Sequence, residues 1–282
     1  MEEKVKWQTV IKPRTSWRDI DLGELWRYRD LIFLFVKRNF ATRYKQTVLG
    51  PAWILISPLL STIISTFIFG TVAKIPSDGV PYFLFYMCGN IIWNFFSSSL
   101  TSTSTTFVTN APIFSKVYFP RLVTPISTVI TGLLDFGIQL VMFIGFMIYY
   151  MCIGAAIAPN IYLLLFPILI LEAAILGLGF GIIISSLTTK YRDLTVLVSF
   201  GVSLWMYITP VIYSTTTMSA KLRALVLLNP MAPVVETMRY IFLGTGEIPW
   251  LYLGISMVVT LVVLIFGAII FNKVEKTFVD TV

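Results

Sequence analysis

The chain contains six long apolar segments, and no other feature restricts its fold so strongly. A helix needs about 20 apolar residues to cross the roughly 30 Å hydrocarbon core of a bilayer. Hydrophobic residues make up 57% of the 282 residues, and the mean hydropathy is +0.84, which exceeds what one soluble core of this size buries. We therefore predict an all-α polytopic membrane protein with six transmembrane helices, at about residues 51–72, 82–107, 123–151, 161–187, 195–213 and 250–271.

The segments outside these helices include tails, an amphipathic helix and two short apolar pieces. Residues 1–21 predict a flexible cytoplasmic tail, and residues 272–282 predict a second one. Residues 22–48 carry apolar and basic positions at helical spacing, which predicts an interface helix with its aromatic face in the headgroups. Packing of this helix on protein in the cytosol is the alternative. Residues 218–243 hold two pieces too short to span, which we expect to form re-entrant extracytoplasmic helices.

The distribution of basic residues indicates which ends of the helices face the cytoplasm. Lys and Arg are concentrated in the cytoplasmic loops of membrane proteins. Six spans with both termini inside place the larger basic set near the inner ends. That inner set is Lys37, Arg38, Arg43, Lys45, Lys116, Arg121, Lys190, Arg192, Lys273 and Lys276, and the outer set is Lys74, Lys221, Arg223 and Arg239. We expect a multi-pass protein of the cytoplasmic membrane. Its net charge of +7 then reflects this topology, so we expect no nucleic-acid partner.

The composition excludes several kinds of catalysis. The chain has no histidine, which removes Ser-His-Asp triads and HExxH zinc sites. No Gly is followed directly by Lys, so the GxxxxGK[ST] loop that binds nucleotide phosphates is missing. Cys88 and Cys152 stand in separate apolar surroundings, which predicts packing residues. We expect no catalytic residue, metal or cofactor in this chain, so any ATP must be hydrolysed on another one.

Two acidic residues fall at membrane depth. At 1.5 Å per residue, Asp135 in the third predicted span and Glu172 in the fourth both lie near the bilayer midplane. Each would cost about 2.5–3.5 kcal/mol if it faced lipid, so both are expected to face protein or water. They could form a proton or ion relay. Alternatively, they are protonated or hydrogen-bonded groups that lock helices together.

Aromatic residues are numerous, and most of them are typical of packing or of an interfacial belt. Four of them suggest a more specific role, because rings that line a passage allow the C–H faces of sugars to slide without strong hydrogen bonds. We therefore predict that a sugar chain passes beside Trp53, Trp93, Trp205 and Tyr207.

Four sequence blocks together resemble one family of transport proteins. They are RYKQTVLGPAWILISPLL at residue 43, NAPIFSKVYFPRLVTPIS at 110, TTKYRDL at 188 and NPMAPVVETMRYIFLG at 229. Their order after a basic amphipathic helix resembles the membrane subunit of type-2 ABC exporters. Within these, the chain is most similar to the polysaccharide and polyol phosphate exporters, which are the O-antigen, capsule and teichoic acid permeases.

The resemblance implies how the chain assembles. Two copies would form a homodimer and bind two nucleotide-binding ATPase subunits, which carry the ATP and Mg. A coupling segment would sit in a cleft of each ATPase. Alternatively, its two basic residues, Lys116 and Arg121, only help to set the membrane topology. The implied coupling residues are Asn110, Ala111, Phe114, Lys116, Tyr118, Phe119 and Arg121.

The resemblance also implies the cargo, an undecaprenyl-linked glycan moved across the cytoplasmic (inner) membrane. Phosphate contacts would come from the interface helix, although the same side chains could bind bulk anionic lipid. The first function that we predict is export of an O-antigen-like polysaccharide. Teichoic acid, capsule, drugs or small lipids are alternatives on the same fold, and a membrane-embedded transferase acting on lipid-linked sugars is a distant one. The implied phosphate contacts are Arg27, Lys37, Arg38 and Arg43.

Overall fold

The computed structural model describes residues 22–45, 49–114, 116–188, 191 and 193–278. Every regular element in these ranges is helical, which confirms the all-α prediction. Several predicted features lie outside the described residues. These are the tail 1–21, residues 46–48 of the interface helix, Lys190 and Arg192 of the TTKYRDL block, and the last residues of the C-terminal tail, 279–282.

The chain forms eleven α-helices within the described ranges. A 3₁₀ turn precedes α3 at Gly50–Ala52 and another precedes α7 at Ile161–Leu165, and a π-helical stretch extends α3 over Thr66–Val72. In order, the helices are α1 (Leu22–Arg27), α2 (Arg29–Tyr44), α3 (Trp53–Ser65), α4 (Tyr82–Ser104), α5 (Thr106–Phe114), α6 (Val123–Cys152), α7 (Phe166–Thr188), α8 (Leu194–Ile208), α9 (Ala220–Leu227), α10 (Met231–Leu243) and α11 (Trp250–Phe278).

Four helical segments of the described chain are long and apolar enough to cross a membrane. They are Gly50–Val72, Val123–Cys152, Ile161–Thr188 and Trp250–Val274. Helix α8 is apolar but has 15 residues, or about 22 Å of helix, which is shorter than the hydrocarbon core. The structure thus supports four spans by length and composition, and the count of six stays a prediction.

Helix α4 differs from the four apolar helices because protein surrounds it. It packs against α3, α6, α7, α8 and α10, and consecutive residues such as Phe85, Tyr86 and Met87 are all buried. Some of its polar side chains meet protein, as when Asn90 Nδ2 approaches Thr62 Oγ1 of α3 at 3.5 Å. Others, such as Asn94, Ser98 and Ser102, are half-buried. A central position explains why the helix is less apolar than its neighbours.

Glycines let α7 approach two neighbouring helices closely. A Cβ atom at Gly181 would lie 2.5 Å from Thr103 Cβ of α4, and one at Gly177 would lie 2.9 Å from Ser99 Cβ. The four-residue spacing of these glycines is the small-residue pattern of tightly packed membrane helices. Gly179, on the opposite face, allows a similar approach to α11. Helix α7 is therefore held between α4 and α11.

The amphipathic segment is interrupted at Tyr28 and runs along α6 on one face. Arg43, near its end, reaches Asp135, which lies 12 residues beyond Val123 and so about 18 Å along α6. The opposite face is exposed, including Trp26 and Phe33, and its contact with headgroups stays a prediction. On the inner face, Ile32, Phe35 and Val36 pack against Phe119 and Val123. This contact supports the alternative in which the helix packs on protein.

The two short pieces of residues 218–243 form α9 and α10 at the other end of the bundle from α5. Helix α10 is buried along almost its whole length and packs against α4, α7 and α11. Asn229 starts it by accepting the backbone N–H of Met231 at 3.2 Å. Gly244 ends it in a left-handed conformation with φ of 75°. Their re-entrant position relative to a membrane stays a prediction.

Candidate functional site

The segment from Asn110 to Arg121 combines a helix end with an extended turn. Helix α5 supplies Asn110 to Phe114, and residues 117–120 have no regular structure before α6 begins at Val123. Three successive residues project from this turn as its most exposed part. We call them the tip: Lys116, Val117 and Tyr118, the last of which is 65% exposed.

Phe119, directly after the tip, is buried. Its exposed fraction is 4%, and its ring centroid lies 5.5 Å from that of Phe35 on α2 and 5.6 Å from that of Phe114 on α5. These ring contacts connect the tip to α2 through one rigid side chain. Phe119 therefore packs the turn directly against α2.

The other predicted coupling residues also contact the protein interior. Asn110 is buried and donates from Nδ2 to the Thr106 carbonyl at 3.0 Å. Arg121 is buried with its guanidinium 5.6 Å from the ring centroid of Phe114, and Ala111 packs beside Phe107. The seven predicted residues thus divide into exposed ones at the tip and internal ones that hold the segment in place.

A polar cavity of about 640 Å³ opens between α2, the α4–α5 junction and α6. We call it the arginine cavity. Its wall holds two guanidinium groups, two amides and many hydroxyls, with one apolar side chain. Such a lining suits an anionic ligand with several oxygen atoms. The lining residues are Arg38, Asn39, Thr42, Arg43, Ser102, Thr105, Thr106, Thr109, Asn110, Ile113, Thr124, Ser127, Thr128 and Thr131.

The four basic residues predicted to contact phosphate separate into two pairs. Arg38 and Arg43 line the arginine cavity, whereas Arg27 and Lys37 are exposed and are not among its lining residues. The Arg38 guanidinium lies 4.4 Å above the Phe35 ring, and partial burial lowers the pKa of Arg38. A guanidinium still remains charged near neutral pH, so the cavity retains positive charge.

Asp135 is paired with the end of α2. Its Oδ2 accepts a hydrogen bond from Arg43 Nη1 at 2.5 Å, and its Oδ1 accepts one from the Tyr44 hydroxyl at 3.1 Å. Burial, together with the neighbouring carboxylate, raises the pKa of Tyr44, which keeps the phenol protonated as a donor. The contacts fit the helix-locking alternative for Asp135, and they join α2 to α6.

The four aromatic residues predicted to line a passage occupy two kinds of environment. Trp93 is 3% exposed and packs against Trp205, whose indole Nε1 donates to Asn229 Oδ1 at 3.0 Å. Trp53 and Tyr207 are 46% and 62% exposed at the surface of the single chain. Trp205 is half-buried, so within this group only Trp93 is fully enclosed by protein. The assignment of all four residues to a passage stays a prediction.

Glu172 is buried at a junction of α7, α11 and the start of α10. Its Oε1 lies 2.5 Å from Ser256 Oγ, and the same Ser256 hydroxyl lies 2.7 Å from the carbonyl oxygen of Pro230. Asp135 and Glu172 therefore belong to separate clusters. Within the described residues, no chain of titratable side chains is seen to connect them.

Arg239 is a buried cation on α10, whereas the sequence indicated only an outer charge at this position. Its guanidinium donates to the Val211 carbonyl, and also to the Tyr213 carbonyl at 3.1 Å. It lies 3.8 Å above the Phe85 ring and 3.6 Å from Glu236 Oε1. The spacing of Glu236 and Arg239, three residues apart on a helix, is the signal that could have indicated this pair.

Long apolar helices around a buried central helix, with a charged cavity at one end, are typical of a polytopic membrane protein. Comparison with protein families places the chain more narrowly. Residues 30–243 match the ABC-2 type transporter family, and the chain belongs to that family.

Curated relatives carry a common description. The chain is 31% identical over 252 residues to the O-antigen export system permease protein RfbA of Klebsiella pneumoniae, covering 89% of this chain and 94% of that protein. It is 30% identical over 223 residues to the protein of the same name from Myxococcus xanthus, covering 78% and 82%. The likeness therefore extends over nearly the whole length of these permeases.

Proposed function

We propose that this chain is the translocation subunit of an ATP-driven exporter that moves a lipid-linked, O-antigen-like polysaccharide across the cytoplasmic membrane. The similarity to O-antigen export permeases over 89% of the chain is the observation that carries this proposal. It favours a glycan cargo over drugs or small lipids. The six-span topology with both termini in the cytoplasm is part of the proposal, as is a homodimer with two ATPase subunits that hold ATP and Mg.

The coupling step uses the tip and its buried neighbour. Closure of the ATPase dimer on ATP would push on Lys116, Val117 and Tyr118, which are the exposed part of the segment. Phe119 would pass the displacement to Phe35, because their rings are in contact. Rigid packed side chains transmit such a displacement, whereas a solvated loop would absorb it. The motion would thus reach α2 and the arginine cavity.

The arginine cavity would hold the phosphate groups of the lipid carrier. Arg38 and Arg43 supply the positive charge. Further donors come from hydroxyls that make no hydrogen bond within the described residues, such as those of Thr42, Ser102 and Thr109. The hydroxyls of Thr105, Thr124, Ser127, Thr128 and Thr131 already donate to backbone carbonyls. Arg43 also contacts Asp135, so binding of a phosphate there would compete with an existing ion pair. We assign Arg27 and Lys37, which lie outside the cavity, to anionic lipid around the protein.

The passage for the glycan would form between two copies of the chain. Helix α8 presents exposed hydroxyls at Ser199, Ser203 and Tyr207, which lie on one face at four-residue spacing. Ser199 and Ser203 donate to backbone carbonyls of their own helix at 3.0 and 2.9 Å, so neither is a costly unpaired group in a membrane. A polar stripe on an apolar helix suits a wall that contacts sugars.

Reconstitution tests this function directly. The chain would be copurified with its ATPase partner and placed in vesicles that contain an undecaprenyl-linked glycan. We expect ATP to make the glycan accessible to an added lectin on the far side, and a partner that cannot hydrolyse ATP to abolish this exposure. Glycan exposure that is independent of ATP, or a fully active chain that copurifies with no ATPase, would contradict the proposal.

A further inference from the structure

A second cavity follows the arginine cavity along α4 and α6. It has a volume of about 290 Å³, and we call it the inner cavity. Ser102 lines the first cavity and Ser98 the second, one helical turn apart on α4. Thr131 and Asp135 are related in the same way on α6. Four residues of helix correspond to about 6 Å, so the two cavities are neighbours along α4 and α6, and we call the pair the groove.

The inner cavity combines aromatic faces with polar groups. Its wall is formed by α3, α4 and α6, with Tyr44 of α2 at the border to the arginine cavity. Trp53 and Ser57 are exposed at its edge, which makes the cavity accessible from outside the single chain. The lining residues are Tyr44, Trp53, Ile54, Ser57, Pro58, Ser61, Asn94, Phe95, Ser98, Gly132, Asp135, Phe136 and Gln139.

Several polar side chains of this wall are available to a ligand. Asn94, Ser98 and Gln139 make no side-chain hydrogen bond to other protein groups within the described part of the chain. An apolar ligand such as a lipid tail would leave these groups without water and without a hydrogen-bond partner, which is unfavourable. A small cation is also a poor match, because Asp135 already pairs with Arg43. A neutral ligand with several hydroxyls satisfies the wall best.

The size and the aromatic lining narrow the ligand to a single ring. The volume lies near the lower limit of roughly 300 Å³ for ligand pockets. Trp53, which is 46% exposed, supplies a flat apolar surface against which the C–H face of a pyranose can pack, while Phe95 and Phe136 are buried in the wall behind the cavity. Amides and hydroxyls beside such rings can hydrogen-bond the hydroxyls at the edge of the sugar.

We propose that the inner cavity binds the first sugar ring of the lipid-linked substrate, the ring attached directly to the phosphate. This inference rests on the proposed function, in which the arginine cavity holds the phosphate. A sugar joined to that phosphate lies about one helical turn farther along the groove, at Ser98 and Asp135. The chain would thereby recognise the phosphate and the first sugar together. A carrier lipid without a sugar would leave the inner cavity empty.

Two lipid probes test this assignment on the purified full-length chain in nanodiscs. One is undecaprenyl diphosphate, and the other is the same lipid carrying one N-acetylglucosamine. Native mass spectrometry would give the dissociation constant of each. We expect the sugar-bearing lipid to bind about tenfold more tightly, as two or three additional hydrogen bonds would give. Equal affinity of the two probes for the unmodified chain overturns the inference and leaves the phosphate site standing.

Variants separate the two cavities. Asn94→Leu and Gln139→Leu should reduce the tenfold ratio to about one without changing the affinity for the bare lipid, whereas Arg38→Gln should weaken both probes by the same factor. Thr71→Ala, an exposed hydroxyl outside the groove, is the matched control and should change neither constant. A ratio that survives Gln139→Leu overturns the inference, even if Asn94→Leu on the central helix unfolds. Failure of both probes to bind overturns the inference together with the phosphate assignment.

Discussion

At the scale of single residues, one hydroxyl group indicates the protonation state of Glu172. Ser256 has one hydrogen to donate, yet its oxygen lies within hydrogen-bond distance of both Glu172 Oε1 and the Pro230 carbonyl. The carbonyl can only accept, so both contacts are satisfied when Ser256 donates to Pro230 and a protonated Glu172 donates to Ser256. Within the described residues, Glu172 Oε2 has no partner, which would be costly for a buried carboxylate. The geometry favours a neutral lock over a relay.

The first prediction follows from this proton count. Glu172→Gln keeps a neutral donor of similar size, so we expect export to remain within about twofold and stability within about 1 kcal/mol of the unmodified chain. Asp135→Asn is the contrasting variant. It leaves the Arg43 guanidinium without its counter-charge and should lower stability by about 1–3 kcal/mol. Export assays and thermal unfolding in detergent measure the activity and the stability of both variants. Loss of export in Glu172→Gln would contradict the neutral lock and favour the relay.

A second prediction concerns Arg239, whose guanidinium is enclosed by two carbonyls, an aromatic ring and Glu236. Burial raises the pKa of Glu236, and Arg239 acts in the opposite direction. Removing one partner of a buried pair leaves a charge without compensation, so Arg239→Ala should cost about 3–5 kcal/mol of unfolding free energy. Adding Glu236→Gln should recover part of this loss. A double variant as unstable as Arg239→Ala alone would show that the carbonyl contacts dominate.

At the scale of elements, the coupling segment separates contact from transmission. Tyr118 is exposed, so Tyr118→Ala should leave thermal stability within about 0.5 kcal/mol. If the tip docks on the ATPase, the same change should reduce export and copurification of the partner about fivefold or more, since exposed tyrosines often dominate such interfaces. The measurements are the yield of ATPase in a pull-down and ATP-dependent glycan export. Unchanged values for both would remove the tip from the interface.

Phe119→Ala provides the matched comparison within the same turn. Its ring is buried against Phe35 and Phe114, so truncation should cost about 3–5 kcal/mol of stability. At a temperature where the variant remains folded, we expect the ATPase to stay bound while export is lost. The pair of variants therefore distinguishes docking on the tip from transmission to α2.

The same elements show what the sequence could and could not predict. Apolar length located the helices, because a membrane imposes that length directly. Periodicity could not show that α2 climbs along α6 to reach Asp135, since that pairing joins residues 92 positions apart. Periodicity also could not show that α4 is the central helix, because that position depends on its contacts with α3, α6, α7, α8 and α10. Only part of the arginine cavity could be predicted. The sequence indicated Arg38 and Arg43 as phosphate contacts, but the hydroxyls of the wall come together only through the packing of α4 and α6.

At the scale of the whole molecule, the two ends of the bundle are built differently. One end holds the tip and the arginine cavity, where charged groups meet open space. The other end holds α10, which is almost wholly buried, including its cationic residue Arg239. An end that is open and basic suits a site that receives an anionic lipid and a soluble motor. The packed core around α10 suits a closed barrier, and the cavity of about 430 Å³ at this end lies beside α9, outside that core. This asymmetry fixes which end must face ATP if the proposed function holds.

The last prediction tests that orientation with cysteines as reporters. Cys88 is buried and Cys152, at the far end of α6 from the tip, is exposed, so the native chain already carries one accessible thiol. In spheroplasts, we expect a membrane-impermeant maleimide to label Cys152, and Cys152→Ser to abolish the signal. A Lys116→Cys substitution in that serine background should react only after the membrane is permeabilised, because the tip must share a compartment with the ATPase. Labelling of this position in sealed spheroplasts would place the tip outside the cell. It would then remove the coupling mechanism, because a cytoplasmic ATPase could not reach Tyr118.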